Sequence, residues 1–360
     1  MNDLSGTAAV SGEEPGSAFT FTGDWREFLP IAVTNLLLTI VTLGIYRFWA
    51  KARERRYLWS RTRFIDDHLE WTGTGKEMFI GFLLAFLVLV PVFFVAQMAI
   101  EALLVRGQAG LAGLLLLGLY AGVFYLIGVA TFRALRYRLS RTWWHGIRGG
   151  SDDAGWGYGW QAMWKTIVGF LVLGFLVPWA MTSLWNDRWN KMSFGQHQFE
   201  AGADTDGLFG RWMIVYLVPV VGFVMFAILG VSLSGGGAGA GTAVTMAVAF
   251  VAFYVLFLLA SLSFYAAFYR QAVSATSVAG IHFEFTARTA DWVKLILGNI
   301  ALVVFTLGLG FIFIGYRNWS FAIRHMEAAG EIDLDALLQS RTAATGDAEG
   351  LADAFDIGAI

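Results

Sequence analysis

Histidine is the side chain of this 360-residue sequence best suited to acid–base or metal chemistry, and there are five. Imidazole alone titrates near neutral pH unperturbed, and it is the commonest metal ligand. Each histidine falls in a polar stretch that follows an apolar one. Three of them read His-x-Glu: His68/Glu70, His282/Glu284 and His325/Glu327. On a strand, residues i and i+2 share a face, so such a pair offers a nitrogen and a carboxylate to an ion such as zinc. A centre built on His68, His197 and His282 requires separate segments to converge. The competing reading is that a repeated hairpin repeats its surface residues. With no cysteine, thiolate ligands, disulfides and cysteine nucleophiles are excluded. Gly73-Thr74-Gly75-Lys76 matches part of a phosphate loop, but lacks the upstream glycine spacing and preceding strand, and reads as a turn into a helix. Protease signatures are missing too. No residue is therefore assigned to catalysis, and no cofactor is assigned.

The elements that would position these residues are set by hydrophobicity. The sequence is 57% hydrophobic and 14% charged, with a mean hydropathy of +0.60. A soluble domain of this size has no use for so much apolar surface. Residues 28–46, 78–100, 107–132, 166–186, 212–234, 242–269 and 295–316 contain no Asp, Glu, Lys or Arg. About 20 apolar residues cross the hydrocarbon as a helix, and lipid leaves isolated strands no backbone partner. The sequence thus predicts an all-α polytopic membrane protein. A disordered tail is expected over 1–18, and an acidic, solvated tail able to dock a partner over 327–360.

A shift of 130 residues pairs Leu43 with Leu173, Gly44 with Gly174, Trp49 with Trp179 and Trp59 with Trp189. Asn299 and Thr306-Leu307-Gly308 echo Asn35 and Thr42-Leu43-Gly44. The membrane domain, 19–326, then divides into repeat one (19–148), repeat two (149–280) and a truncated repeat three (281–326). Each unit is a short apolar segment and a polar aromatic insert, followed in the first two by a pair of long apolar segments. The inserts 61–71, 192–200 and 278–285 alternate aromatics around Gly or Asp. They predict short cytoplasmic β-hairpins, pairing with one another and with Phe19-Thr20-Phe21.

Residues 47–77 carry eight Lys or Arg and 133–165 carry six, marking both as cytoplasmic. If the three short segments enter and leave on the same face, Arg106 alone of the 25 Lys and Arg lies outside. Each short segment also carries helix breakers, which membrane depth tolerates only beside protein or water. Four full spans and three re-entrant hairpins are expected, against the alternative of seven crossings. Asn35, Gly44, Gly174, Pro178, Asn299 and Gly308 are the candidate lining of a substrate path. The plainer role for each Asn is to bond a carbonyl freed at the break. Trp49, Arg55, Arg56, Tyr57 and Trp59, with Tyr137 and Arg138, mix aromatic and basic character beside membrane segments. They read as anchors at the headgroups rather than as a nucleic-acid surface, and a net charge of −2 gives no field for nucleic acid.

Phe21-Thr22-Gly23, Asn35-Leu36-Leu37-Leu38-Thr39, Thr42-Leu43-Gly44-Ile45-Tyr46, Trp49 and Thr72-Gly73-Thr74-Gly75 resemble the YjgN-like family of bacterial inner-membrane proteins, a domain of unknown function. The resemblance covers roughly 19–326. Family members often place Pro before the Trp; Phe48 stands there in the first copy, whereas the second keeps Pro178-Trp179. The resemblance implies a multi-pass inner-membrane location and supplies no activity. On the residues themselves, transport of a neutral or lipid-derived molecule is the leading expectation, weakened by the lack of charge within the apolar segments. A non-catalytic scaffold or envelope-stress component, binding a protein partner or a second copy on the cytoplasmic side, is the alternative.

Overall fold

The computed structural model describes residues 7–9, 17–234, 240–333, 337–342, 345–346 and 349–350. Of the tail expected to be disordered over 1–18, residues 7–9 and 17–18 are described, and Thr7–Ala9 forms a strand antiparallel to Glu331–Asp333; the rest of that stretch lies outside the described residues. In chain order the elements are β1 (Thr7–Ala9), β2 (Phe19–Phe21), α1 (Trp25–Val41), α2 (Arg47–Ser60), β3 (Thr62–Phe64), β4 (Asp67–His68) and β5 (Glu70–Trp71). Then come α3 (Gly75–Val105), α4 (Ala109–Arg141), β6 (Thr142–Trp144), β7 (Ile147–Gly150), α5 (Trp156–Leu171), α6 (Val177–Trp189), β8 (Ser193–Phe194) and β9 (His197–Ala201). The rest is α7 (Leu208–Ser234), α8 (Ala240–Ser274), β10 (Thr276–Val278), β11 (Ile281–Phe285), α9 (Thr289–Phe305), a 3-10 turn (Leu309–Phe313), α10 (Ile314–Arg324), β12 (Met326–Ala329) and β13 (Glu331–Asp333).

Four helices, α3, α4, α7 and α8, are long and apolar enough to cross a bilayer. They are hydrophobic around most of their circumference, and only 6–17% of their most apolar stretches is buried inside the protein. Such a surface is stable against lipid and not against water. At 1.5 Å per residue α3 is roughly 45 Å long, so its ends project past the hydrocarbon. Thr74 Oγ1 caps its start by accepting from Glu77 N.

The short apolar segments fold differently. Each is a helix that stops at a Leu-Gly turn and is followed by a helix running back: α1 into α2, α5 into α6, α9 into α10. At the first turn Leu43 and Gly44 both take positive φ, 52° and 92°. Gly44 N donates to Thr39 O at 2.7 Å and Leu43 N to Ile40 O at 3.1 Å, the two bonds of a Schellman stop. Leu173-Gly174 and Leu307-Gly308 adopt the same left-handed pair. The strands flanking each hairpin pair antiparallel: β2 with β3, β7 with β8, β11 with β12. Each hairpin therefore starts and ends at one sheet.

That sheet corrects the all-α expectation. Eight strands run in the order β12-β11-β10-β9-β8-β7-β6-β5, and β2-β3-β4 form a three-stranded sheet. The two are joined through Leu69, whose N–H donates to Thr62 O at 2.9 Å. They meet again where Ser17 Oγ donates to Met326 O at 3.3 Å and the Phe19 and Phe283 rings lie 6.4 Å apart. The curled surface encloses Phe64, Trp144, Ile147, Ile281 and Leu337. Pairing of hairpins was expected; an insert at β6–β7 was not. The 326/327 boundary also falls inside β12, because the open edge of β11 needs a partner and Met326–Ala329 supplies it. Beyond it Leu337, Ser340 and Thr345 are buried, so these three residues are docked rather than solvated.

The base of α3 is packed closely enough to test. A Cβ on Gly75 would lie 2.6 Å from Trp49 Cα and 2.8 Å from Trp49 N, whereas one on Gly113 would meet nothing within 4 Å. Gly75→Ala is expected to cost about 1–3 kcal/mol by overpacking, and Gly113→Ala to cost nothing. Denaturant titration of both variants in detergent micelles checks this; equal stability would show that α2 and α3 do not meet there.

Candidate functional site: polar clamps in the helix hairpins

Each hairpin is closed by one polar clamp between its two helices. Buried Asn35 on α1 donates from Nδ2 to Ala50 O at 3.2 Å and accepts at Oδ1 from Arg53 Nη1 at 3.3 Å. Arg53 also donates to Tyr46 Oη at 3.1 Å. In the third hairpin Asn299 Oδ1 accepts from Arg317 Nε at 2.7 Å, and its Nδ2 donates to Asn318 Oδ1 at 3.0 Å. The middle hairpin reverses the arrangement. Buried Lys165 on α5 donates to Ser183 Oγ on α6 at 2.6 Å and also bonds the Asp187 carboxylate. Lys165 and Ser183 each stand 130 residues after Asn35 and Arg53, and Asn299 and Arg317 stand 264 after them. One cation per hairpin is kept, but in the second it has moved to the opposite helix. Polar groups between apolar helices are costly unless bonded, so each clamp both satisfies itself and fixes the helix pairing.

The charge-free runs of the sequence concealed this cation. Each run was bounded by composition, which detached the returning helix with Arg53 or Arg317 from the helix carrying Asn. The aligned exchange of Asn35 for Lys165 and of Arg53 for Ser183 was the available signal. The candidate path residues do not share a cavity. Gly44, Gly174 and Gly308 lie at hairpin turns, where an added Cβ would meet nothing within 4 Å. Pro178 is buried in the first turn of α6. The principal cavities among the described residues are lined by none of Asn35, Gly44, Gly174, Pro178, Asn299 and Gly308.

The histidines are dispersed. His68, His197 and His282 lie on β4, β9 and β11, and β10 separates the last two. Among the described residues no group of three or more His, Cys, Asp or Glu is disposed to hold a metal. His145, which the sequence left without a role, instead joins two hairpin turns through Nε2 and Asp66 Oδ1, 2.9 Å apart.

Three expected headgroup anchors are interior. Trp59 stacks on Trp319 at 4.1 Å and donates to Thr142 Oγ1 at 2.9 Å. Arg55 is buried with its guanidinium 4.9 Å from the Trp71 ring centre. Tyr137 is fully buried and donates to Glu77 Oε2 at 3.0 Å, the oxygen that also meets Arg141. Trp59 and Tyr137 thus find hydrogen-bond partners within the protein, and the three side chains tie α2 to α10 and, through Trp71, to α4. Trp49, Tyr57 and Arg138 are half-buried, and Arg56 is exposed.

Four apolar helices of spanning length, with every other element gathered at one end of them, define a polytopic membrane protein. The chain belongs to the DUF898 family, bacterial proteins of unknown function, which it matches over residues 16–354. It is 32% identical over 130 residues to the inner membrane protein YjgN of Salmonella typhimurium, covering 36% of this chain and 30% of that one. With YjgN of Escherichia coli K12 the identity is 23% over 251 residues, 59% of this chain and 60% of the relative. The chain thus spans less than two thirds of the length of these relatives. No solved structure matches it. Its place is the inner membrane.

The clamp exchange generates a double-mutant cycle. Lys165→Met leaves Asp187 without its cation and is expected to destabilise by about 2–4 kcal/mol, toward the lower part of the range for broken buried pairs because Asp187 is partly exposed. Lys165→Asn combined with Ser183→Arg rebuilds the arrangement of the other hairpins and should recover most of that loss. Additive losses in detergent unfolding would show that the two positions are not coupled.

Proposed function

We propose that this protein is a scaffold of the cytoplasmic leaflet. On this reading one unit, duplicated and then truncated, supplies three re-entrant hairpins that dip into lipid, and the curled sheet below them offers a binding surface to a partner in the cytoplasm. The observation that carries it is the state of the hairpin turns. Leu43 and Leu307 are each 94% exposed and Leu173 68%, while Asn35 is consumed by its own hairpin. These are apolar tips suited to hydrocarbon and unsuited to lining a water-filled path. Of the 25 Lys and Arg, Arg106 alone lies at the far end of the spanning helices, and the bias of such residues toward the cytoplasm orients the sheet inward.

Transport has one feature in its favour. An apolar groove of about 550 Å³ between α7 and α8, lined by Val218, Gly222, Met225 and Phe253 among others, would suit a lipid-derived molecule moving along the helices. A flux of labelled lipid between the leaflets of reconstituted vesicles would favour this second reading over the scaffold.

The absence of cysteine makes topology directly testable. In intact cells an impermeant maleimide should label Gln108→Cys, and should reach Gln196→Cys only after permeabilisation. A fluorophore at Leu43→Cys should be quenched by spin-labelled acyl chains and stay inaccessible from outside. External labelling at position 196 or 43 would sink the re-entrant placement.

A further inference from the structure

A second cavity, also of about 550 Å³, opens where α7 begins, α8 ends and α9 begins. Arg211, Arg270 and Arg288 line it, together with Glu284, Thr286 and Thr289. Arg211 Nη1 donates to Ser263 Oγ at 2.9 Å and Arg270 Nη1 to Ala287 O at 2.8 Å. These single bonds leave most of the guanidinium donors unused, since each group has five. Among the described residues none of the three forms an ion pair; exposed Glu284 contributes the one negative charge of the lining. Three like charges sharing a cavity repel one another unless an anion joins them, and guanidinium groups match phosphate oxygens in fork geometry.

The apolar groove of α7 and α8 lies on the same helix stripes as this cavity. On α7, Arg211, Ile214, Val218, Val221 and Met225 follow helical spacing down one stripe; on α8, Arg270, Ser263, Leu256 and Ala249 recur every seven residues. A charged site and an apolar groove thus follow one another along the same two helices. Basic pockets between transmembrane helices on the cytoplasmic side are the sites that take anionic lipid headgroups.

We propose that the cavity binds the phosphate of an anionic phospholipid, with Arg211, Arg270 and Arg288 as its ligands and an acyl chain in the α7/α8 groove. The site stands independently of the scaffold reading, since it requires only that α7 and α8 span the bilayer. The full-length protein, delipidated in neutral detergent, should bind long-chain phosphatidylglycerol at least ten-fold more tightly than the matching phosphatidylcholine. Inorganic phosphate should bind weakly, because it leaves the groove empty. Arg270→Gln and Arg288→Gln should each weaken phosphatidylglycerol binding about ten-fold, and Arg26→Gln, an exposed cation over Trp25 on α1, should leave it unchanged. Equal affinity for the two lipids, or wild-type affinity in Arg288→Gln, would overturn the proposal. Inorganic phosphate binding as tightly as phosphatidylglycerol would also overturn it, assigning the site to a soluble phosphate. Arg288 is exposed at the head of α9, so its variant decides the matter even where Arg270→Gln fails to fold.

Discussion

The backbone at the Leu-Gly turns constrains everything else in this fold. On the proposed placement these turns lie in lipid, where N–H and C=O groups find no water and must be satisfied from the protein's own atoms. Thr42 Oγ1 donates to Leu38 O at 2.7 Å and accepts from Tyr46 N at 2.9 Å, bridging the outgoing and incoming helices. Thr306 repeats this with Leu302 O and Gly310 N, both at 2.6 Å. The middle hairpin has Val172 instead, with no hydroxyl, and there Trp212 of α7 donates to Gly174 O at 2.8 Å. Two turns are thus bridged by a threonine hydroxyl that accepts an N–H, whereas the third is tied to a neighbouring helix through a carbonyl. At each turn a leucine sits in the left-handed region, which costs a non-glycine residue about 1–2 kcal/mol. That cost is offset on the proposed placement by an apolar side chain at the point of deepest insertion.

Because each hairpin returns, its flanking strands emerge side by side and can pair. The sheet follows from this: pairs that flank a short hairpin are joined through tight turns to pairs that flank a long helix pair, β5 with β6 around α3–α4 and β9 with β10 around α7–α8. Short strands of two to five residues would be unstable alone. Here they are held by the helices beside them, through contacts such as Trp59 of α2 on Trp71 of β5 and Tyr316 of α10 on Phe21 of β2, whose rings lie 5.1 and 5.5 Å apart.

The apolar runs were legible from the absence of charge over about 20 residues, and the three that fold as hairpins differ from the four long helices in carrying a left-handed Leu-Gly turn. The Leu-Gly turns were legible as breaks, and the hairpins at 62–71, 193–201 and 276–285 as aromatics around Gly or Asp. The β6–β7 hairpin was not. Thr142-Trp143-Trp144 looks like an interfacial belt, and only the left-handed His145-Gly146 pair at its turn distinguishes it. Nor was the burial of Arg55, Trp59 and Tyr137 readable, since an amphipathic side chain has the same composition whether its partner is a phospholipid or another helix. The clamps lay across the boundary between an apolar run and a basic one, where a reading segment by segment separates the two halves of one contact.

The clamps and the arginine cavity hold their cations differently. Arg53, Lys165 and Arg317 are each bonded across to the facing helix of their own hairpin by an amide, hydroxyl or carboxylate group, so their positions are fixed. The Asn–Arg and Lys–Ser arrangements are equivalent solutions because the requirement is one cation bonded across two helices, regardless of which helix carries it. The cluster of Arg211, Arg270 and Arg288 is not repeated: Arg138 on α4 matches Arg270, but Gly81 stands on α3 where α7 has Arg211. An interaction needed by the fold recurs in all three hairpins, whereas the arginine cluster is confined to the base of α7 and α8. The two long helix pairs are alike in architecture and unlike in charge at their bases, so the cluster is not something their packing requires.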